Sequence, residues 1–262
     1  MLFILYFWKV KYIFGFFGLL WKLYIGSVFV ITAIIYYPLI VPFLYKESNK
    51  RIAFKLFISW SQVFQLLCFY LKSIVWKEQL PQGPYIIVAN HSSYLDIFLL
   101  PSIFPEHEFL FLGKSELLKY PLIKTYFKKL NIPIYRGDNR RSARALISAM
   151  KAIKKGWSLA IFPEGGIPDK DNPKMASFKP GAFKIAQNTG APIIPVTFLN
   201  NHSLFSDPTN IFGPARPGIS KIIVHKPIHA DEYNQLDLQE FSDHCHQIIN
   251  APLLKRYPHI ND

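Results

Sequence analysis

The segment YIIVANHSSYLDIFLL, residues 85–100, contains a polar centre between two apolar runs. The first run is short and apolar on consecutive residues, which predicts a buried strand at residues 85–89. The second run is longer and predicts a helix at residues 94–103. A strand that leads directly into a helix is typical of α/β folds, in which functional side chains collect at the carboxyl ends of the strands. His91 lies at such a position.

The same alternation of short apolar runs and helix-like stretches continues toward the C-terminal region. It predicts further strands at residues 108–112, 132–135, 159–162, 193–198 and 222–225, and further helices at residues 121–130, 140–155 and 181–188. Several of these strands are apolar on consecutive residues, as in sheets that are covered on both faces. We therefore predict one α/β domain at residues 77–262, with a mixed, largely parallel sheet flanked by helices.

Residues 1–76 have a different pattern and are predicted to form a hydrophobic helical segment that associates with a membrane. An uncharged run at residues 23–45 is long enough to cross a hydrocarbon core, which takes about 20 apolar residues. Pro38 and Pro42 disfavour one straight helix, so a kinked helix within one leaflet is the alternative to a spanning helix. A second helix is predicted at residues 54–76.

Basic residues that follow the uncharged run indicate the orientation. Positively charged flanks favour the cytoplasmic side of a membrane, and here they are Lys46, Lys50, Arg51 and Lys55. The sequence therefore predicts a membrane location with the catalytic domain on the cytoplasmic side.

The composition is both basic and hydrophobic, with a net charge of +13 and 50% hydrophobic residues. This combination favours an anionic membrane surface over DNA, and no zinc-finger, basic-heptad or helix-turn-helix pattern is present, so no nucleic-acid partner is predicted. Cys68 and Cys245 are isolated in sequence and indicate no disulfide framework. His244 and His246 flank Cys245 too closely to converge on zinc, so we expect no metal and no other cofactor.

The polar centre of residues 85–100 can supply a general base. Imidazole accepts and returns protons near neutral pH, which typically contributes about 10²–10⁴-fold in rate. In one regular helix His91 and Asp96 would point apart, about 140° out of register. A turn before the helix can instead fold the Asp96 carboxylate back onto the imidazole and orient it. The alternative is structural: Ser92 or Ser93 caps the helix, and Asp96 only favours its positive end.

The segment LAIFPEGGIPDKD, residues 159–171, is another predicted strand followed by a polar turn. Glycines in this turn permit close backbone approach, so that amide groups can converge on an anion. The alternative is an ordinary Pro-Glu-Gly-Gly turn without a ligand. Three lysines downstream would suit a phosphate or would simply be solvated, namely Lys170, Lys174 and Lys179.

Together these segments resemble the glycerolipid acyltransferase family, the 1-acyl-glycerol-3-phosphate acyltransferases and their relatives. The N-H-x4-D motif of the family is matched by Asn90, His91 and Asp96. The other matches, in chain order, are Lys114 and Arg136 in FLGKSEL and LNIPIYRGD, FPEG at residues 162–165, Phe178 and Gly181 in F-x-x-G, and APIIPV at residues 191–196. The resemblance extends over residues 85–196, and blocks in this order are a specific signal although each alone is weak.

The resemblance implies an O-acyltransferase of phospholipid biosynthesis that acts at a membrane. It implies transfer of a fatty acyl group from a thioester, either acyl-CoA or acyl carrier protein, to the free hydroxyl of 1-acyl-glycerol-3-phosphate, giving phosphatidic acid. His91 would be the base and Asp96 its partner. By the same resemblance, the substrate-binding residues would be Asn90, Lys114, Arg136, Glu164, Gly165 and Gly166.

One departure from the family pattern concerns the acceptor. Where the family has Thr or Ser followed by Arg, this chain has Gly166 and Ile167, so a guanidinium that could grip a phosphate is missing. Either one of the three downstream lysines substitutes for it, or the acceptor is another lyso-lipid, such as a lyso-aminolipid. A third hypothesis is a non-catalytic basic adaptor for membranes or nucleic acid, which predicts that His91 and Asp96 lie far apart.

Overall fold

The computed structural model describes residues 2–168 and 172–261. Its strands are β1 (Tyr70–Trp76), β2 (Ile86–Ala89), β3 (Phe109–Lys114), β4 (Ile132–Ile134), β5 (Ser158–Ile161), β6 (Ile193–Phe198) and β7 (Gly218–Val224). The helices are α1 (Leu2–Ile40), α2 (Lys50–Leu67), α3 (Leu95–Ile103), α4 (Pro121–Leu130), α5 (Asn139–Lys154), α6 (Gly181–Thr189), α7 (Asn201–Leu204), α8 (Ala230–Tyr233) and α9 (Leu238–Arg256).

The strands form a single mixed sheet in the order β1-β7-β6-β2-β5-β3-β4. Every neighbouring pair is parallel except β6 and β7, which are antiparallel. Strands β2, β5 and β6 are buried along their whole length, because helices cover both faces of the centre of the sheet. The predicted α/β class with a mixed, largely parallel sheet is confirmed, and the predicted β6 has the observed bounds.

The prediction of one helix over residues 54–76 is wrong in its second half. Helix α2 ends at Leu67, Phe69 adopts a positive φ of 51°, and β1 begins at Tyr70. Each residue of β1 is paired with one of β7, from Tyr70 with Gly218 to Trp76 with Val224. A short apolar run does not distinguish strand from helix, so this long-range pairing determines the structure. A domain boundary at residue 77 stays a prediction, although β1 lies on its N-terminal side and belongs to the sheet.

Helix α1 is long and carries an exposed apolar face. It continues through Pro38, while Pro42 lies in the short 3-10 turn Val41–Leu44 that follows. Within residues 2–168 and 172–261, the segment Gly15–Leu44 is the one stretch long and apolar enough to cross a membrane. Its inner face packs on α2, where the Trp60 indole donates to Thr32 Oγ1 at 2.9 Å.

The C-terminal helix α9 was not predicted from the sequence, although a capping box marks its start. Asp237 accepts hydrogen bonds from the amides of Gln239 and Glu240, and the Glu240 carboxylate accepts from the amide of Asp237. The Thr197 hydroxyl on β6 donates to the carbonyl of Ile249 at 2.9 Å. Helix α9 thereby packs on β6 and covers this part of the sheet.

Candidate active site

The predicted site residues begin where β2 ends. Asn90 follows the last residue of β2 and exchanges two hydrogen bonds with Phe198, at the end of the neighbouring strand β6. The Asn90 amide donates to the Phe198 carbonyl at 3.0 Å, and the Phe198 amide donates to Asn90 Oδ1 at 2.7 Å. Asn90 therefore anchors the turn that presents His91.

His91 and Asp96 are in hydrogen-bond contact. The distance from His91 Nδ1 to Asp96 Oδ2 is 3.0 Å, and the Asp96 side chain is fully buried in the first turn of α3. Since a carboxylate only accepts hydrogen bonds, this contact places a proton on Nδ1 of the imidazole. The opposite nitrogen, Nε2, is then the atom that can accept a proton from a substrate.

The Asp96 carboxylate accepts three further hydrogen bonds. The amides of Ser92 and Ser93 donate to its Oδ2 at 2.8 and 2.9 Å, and Asn201 Nδ2 donates to its Oδ1 at 2.7 Å. Ser220 Oγ in turn donates to Asn201 Oδ1 at 2.6 Å. The turn at residues 92–93 thus folds back on Asp96, and this geometry overcomes the unfavourable helical spacing.

The helix-capping alternative also describes part of this turn. Ser93 Oγ accepts from the amide of Leu95 at 3.1 Å and donates to the carbonyl of Phe205 at 2.6 Å. Ser93 therefore has the local structural role, while the Asp96 carboxylate contacts the imidazole. The two interpretations of the sequence apply to different residues of the same turn.

The end of β5 lies directly against this dyad. The ring of Phe162 stacks on the imidazole of His91 with a centroid distance of 4.2 Å and an interplanar angle of 19°. Phe162 begins the F-P-E-G segment. The N-H-x4-D and F-P-E-G segments therefore meet at the carboxyl ends of the neighbouring strands β2 and β5. This stacking restricts rotation of the imidazole ring. A side chain that is to accept a proton from a substrate has to be held in position in this way.

Glu164 is buried, and it uses both carboxylate oxygens on main-chain amides. Its Oε1 accepts from the amide of His91 at 2.7 Å, and its Oε2 accepts from the amide of Ala176 at 2.9 Å. Burial raises the pKa of Glu164 from its ordinary value of 4.5 to about 7, and the two hydrogen bonds oppose this shift. Burial is the larger effect because desolvation disfavours the charged carboxylate.

Glu164 is expected to make folding stability decrease as the pH rises from 4.5 to about 7. In this interval the unfolded chain has released the proton while the folded protein still binds it, so the free energy of unfolding falls with pH. Urea unfolding across the interval measures the effect. The variant Glu164→Gln cannot titrate and should show a shallower decrease, whereas parallel curves for the two proteins would contradict the raised pKa.

Three cationic side chains meet at the Gly165–Gly166 turn. A Cβ atom on Gly165 would lie 2.7 Å from Lys179 Nζ and 3.0 Å from Arg136 Nη2, and a Cβ atom on Gly166 would lie 2.7 Å from Lys114 Nζ. Gly165 also has a φ of +78°, which favours glycine. The missing side chains therefore let ammonium and guanidinium groups approach the backbone closely. We call Lys114, Arg136 and Lys179 the cation cluster.

The family pattern has an arginine after this turn that the chain lacks, and the cation cluster shows which lysine lies near its place. Among the three lysines considered from the sequence, Lys179 is the one that reaches the Gly165 turn. Lys174 is exposed, and Lys170 lies outside the described residues. Lys179 thus supplies a positive charge at the turn that lacks the family's arginine. It acts as a point charge, unlike a guanidinium with its two parallel donors.

Two residues that hold the dyad were missed by sequence reasoning. Asn201 lies 105 positions after Asp96, and Ser220 lies on β7. Neither belongs to a motif, and no local pattern indicates them. They reach the dyad because α7 and β7 lie next to β6, which pairs with β2.

Potential metal ligands do not cluster in residues 2–168 and 172–261. There, no group of three or more His, Cys, Asp or Glu side chains is placed to hold a metal ion. Cys245 is fully buried in α9 between His244 and His246, and burial raises the pKa of its thiol. A buried thiol of this kind is a poor metal ligand because the thiolate is disfavoured.

The sheet presents the N-H-x4-D residues at the end of β2 and the F-P-E-G residues at the end of the neighbouring strand β5, and these are segments that resemble the glycerolipid acyltransferases. A family model described as "Acyltransferase" matches residues 73–199. This part of the chain is similar to that family.

Two curated relatives are longer proteins with related sequences. The chain is 32% identical over 200 residues to the chloroplastic 1-acyl-sn-glycerol-3-phosphate acyltransferase BAT2 of Brassica napus, covering 74% of this chain and 56% of the relative. It is 32% identical over 173 residues to the 1-acyl-sn-glycerol-3-phosphate acyltransferase of Saccharomyces cerevisiae, covering 65% of this chain and 55% of the relative. The chain thus matches little more than half the length of these two proteins.

A solved structure has the same fold. The crystal structure of the 1-acyl-sn-glycerophosphate acyltransferase PlsC from Thermotoga maritima superposes with a TM-score of 0.74 at 23% identity. The match covers 91% of this chain and 95% of the other.

Proposed function

We propose that this protein transfers a fatty acyl group from a thioester donor to the free hydroxyl of 1-acyl-glycerol-3-phosphate, giving phosphatidic acid. The observation that carries the proposal is the 3.0 Å contact between His91 and Asp96, held beside the cation cluster through Glu164. The names of the curated relatives support the same reaction. The donor is acyl-CoA or acyl carrier protein, and the acceptor is a lysophospholipid.

The reaction follows from the protonation state of the dyad. His91 Nε2 takes the proton of the acceptor hydroxyl as its oxygen attacks the thioester carbonyl carbon. The Asp96 carboxylate stabilises the imidazolium that forms. When the tetrahedral intermediate collapses, the carbon–sulfur bond breaks, and the imidazolium returns its proton to the leaving thiolate. The products are an ester and a free thiol, and no covalent enzyme intermediate is required.

We infer the acceptor headgroup from charge. The cation cluster places three positive charges around one glycine turn, which matches the negative charge of a phosphate monoester. A lyso-aminolipid carries an amine that these charges would repel. Lysophosphatidate is therefore the better acceptor, even though the family's arginine is replaced by Ile167.

The non-catalytic adaptor is disfavoured by the same geometry. That hypothesis predicts His91 and Asp96 far apart, whereas their side chains are in contact and Asp96 accepts a set of hydrogen bonds that fixes it. Burying a carboxylate costs free energy unless it is paired. A buried pair at a strand end is therefore difficult to explain by membrane or nucleic-acid binding alone.

Membrane fractions that contain the protein should convert lysophosphatidate and an acyl donor to phosphatidate. Parallel assays with acyl-CoA and with acyl carrier protein identify the donor, and lipid mass spectrometry identifies the product. Competition between lysophosphatidate and a lyso-aminolipid tests the headgroup. Equal use of both acceptors would contradict the assigned role of the cation cluster, and absence of any transfer would contradict the proposed function.

Replacing Lys179 with glutamine should raise the acceptor KM about 10–100-fold with little change in kcat, because a charge-assisted hydrogen bond to the headgroup is lost. Steady-state kinetics with lysophosphatidate measure this. Lys174→Gln is the matched control, since it removes an exposed lysine five positions earlier in the same segment. Equal KM values for the two variants would show that Lys179 does not bind the headgroup.

We infer that α1 attaches the protein to one membrane leaflet. Its outer face exposes a continuous apolar surface consisting of Phe16, Phe17, Leu20, Leu23, Ile31, Ile34, Ile35 and Leu39. The rest of the protein contacts α1 along much of its length, from Lys22, which donates to the carbonyl of Asp207, to Tyr37, which donates to Thr125 at 3.1 Å. These contacts favour partial insertion over crossing, with the basic residues that follow α1 on the cytoplasmic side.

Replacing Ile31, Ile34 and Ile35 together with serine should move the protein from the membrane fraction to the soluble fraction. Each side chain is 55–58% exposed, and burying one in the apolar phase contributes roughly 1.5–3 kcal/mol. Vesicle flotation measures the partitioning. Serine at Tyr120 and Ile147, which are exposed apolar residues outside α1, is the control. Unchanged flotation of the triple variant would contradict attachment through this face.

A further inference from the structure

Residues 172–180, here called the strap, connect the two turns that form the site. The Asn172 side chain donates to the carbonyl of Ser92 at 2.7 Å, next to His91. The amide of Lys179 donates to the carbonyl of Pro163 at 3.0 Å, next to Glu164. The strap thus bridges the ends of β2 and β5, and its last part carries one member of the cation cluster.

Glu164 lies under the strap and joins it to the catalytic base. One carboxylate oxygen accepts from the amide of His91, and the other accepts from the amide of Ala176, near the middle of the strap. Glu164 is only 8% exposed. Above its pKa of about 7, Glu164 is a buried carboxylate bound by two main-chain donors. Such a group is suited to fixing backbone positions, since charge-assisted hydrogen bonds of this kind are short and strong.

We propose that Glu164 is a positioning residue that holds the His91 backbone and the strap in one arrangement, and that it does not bind the acceptor itself. The proposal rests on the proposed function, because it assigns roles to the parts of that site. The cation cluster binds the headgroup at the Gly165 backbone, and Glu164 turns inward from the adjacent position. The positive φ of Gly165 permits this change of direction between neighbouring residues.

The outer side of the strap is held separately. The ring of Phe178 packs against the imidazole of His246 on α9 with a centroid distance of 4.8 Å, and against Phe183 on α6 at 6.2 Å. These contacts keep the strap attached to the helices when Glu164 is changed. A substitution at Glu164 is therefore expected to loosen the inner contacts locally and to leave the fold intact.

The shared carboxylate has a kinetic consequence. Lys179 binds the headgroup, and His91 removes the proton, but both positions depend on the hydrogen bonds of Glu164. Misplacing a base by about 1 Å can cost about 100-fold in rate. Loss of the Glu164 carboxylate should therefore lower kcat and raise the acceptor KM together, whereas loss of Lys179 should change KM alone.

The test is Glu164→Gln in the full-length protein, with hydrogen exchange and kinetics measured side by side. The glutamine NH₂ group faces one of the two amide donors and cannot accept from it. We expect exchange of the peptide at residues 172–180 to be about tenfold faster, and kcat to fall about 100-fold. Unchanged exchange together with a change in acceptor KM alone would overturn the proposal, since that is the result for a direct acceptor ligand.

Two further variants make the result unambiguous. Glu164→Asp retains the charge but is one methylene shorter, so it cannot span both amides and should resemble Glu164→Gln. Recovery of the wild-type acceptor KM by aspartate without faster exchange would also overturn the proposal. Glu78→Gln, at an exposed ion pair with Lys226, should change neither quantity. Unchanged exchange at residues 193–198 shows that the fold is retained.

The exchange measurement needs no turnover and no substrate. A protein without acyltransferase activity whose strap nevertheless exchanges faster in Glu164→Gln would refute the proposed function and retain the positioning role. An active protein whose strap exchange is insensitive to Glu164 would refute the positioning role and retain the proposed function.

Discussion

Replacing His91 with alanine should lower kcat for phosphatidate formation by about 10²–10⁴-fold, the usual contribution of a general base. The imidazole is the only group of the dyad that can accept the hydroxyl proton, because the Asp96 carboxylate already accepts four hydrogen bonds. The acceptor KM should change little, since the headgroup contacts remain. Initial rates with purified protein in lipid vesicles measure the effect.

His107→Ala is the matched control for this experiment. His107 lies before the amino end of β3, whereas the dyad lies at the carboxyl end of β2. The His107 ring packs on Tyr85 with a centroid distance of 5.1 Å. Its loss should leave kcat unchanged. A His91→Ala protein that is folded and turns over at the wild-type rate would exclude His91 as the base.

Replacing Asp96 with asparagine should lower kcat by about 10⁴-fold, the loss that accompanies the same change in Ser-His-Asp triads. The asparagine NH₂ group would face either the amides of Ser92 and Ser93 or the donor of Asn201, so one of these donors loses its acceptor. The imidazole also loses the negative charge that stabilises its protonated form. Kinetics and thermal unfolding of the same preparation separate the catalytic loss from any loss of stability.

Asp138→Asn is the control for the change of charge. Asp138 caps α5 by accepting from the amide of Arg141 at 2.9 Å, and asparagine is as good an N-cap as aspartate. This variant should retain both activity and stability. An Asp96→Asn protein with near-normal kcat would show that His91 does not require an orienting carboxylate.

Much of the fold could be predicted because its signals are local. The segment at residues 85–100 alternates from apolar to polar to apolar within one strand, one turn and one helix, and each part was assigned correctly to its element. Strand β6 and helix α4 were predicted with their observed bounds. Such assignments depend only on the side chains of neighbouring residues.

The errors arise where contacts between distant residues determine the outcome. Residues 70–76 read as the end of a helix, but their pairing with β7 makes them a strand. A helix at these residues was compatible with the local sequence, and only the position of β7 excluded it. The predicted role of Glu164 in substrate binding stays a prediction, and both of its oxygens accept from main-chain amides of distant segments.

The sequence by itself determined the α/β class, the choice of His91 and Asp96 as candidate base and partner, and the order of the motifs that resemble the family, because these are properties of short segments. The tertiary structure alone determined which lysine lies at the Gly165 turn, which groups hold Asp96, and where Glu164 points. These features depend on residues such as Asn201 that approach the dyad through sheet topology. The physical reason is that hydrogen bonds and charges act over a few ångströms in space, independently of separation along the chain.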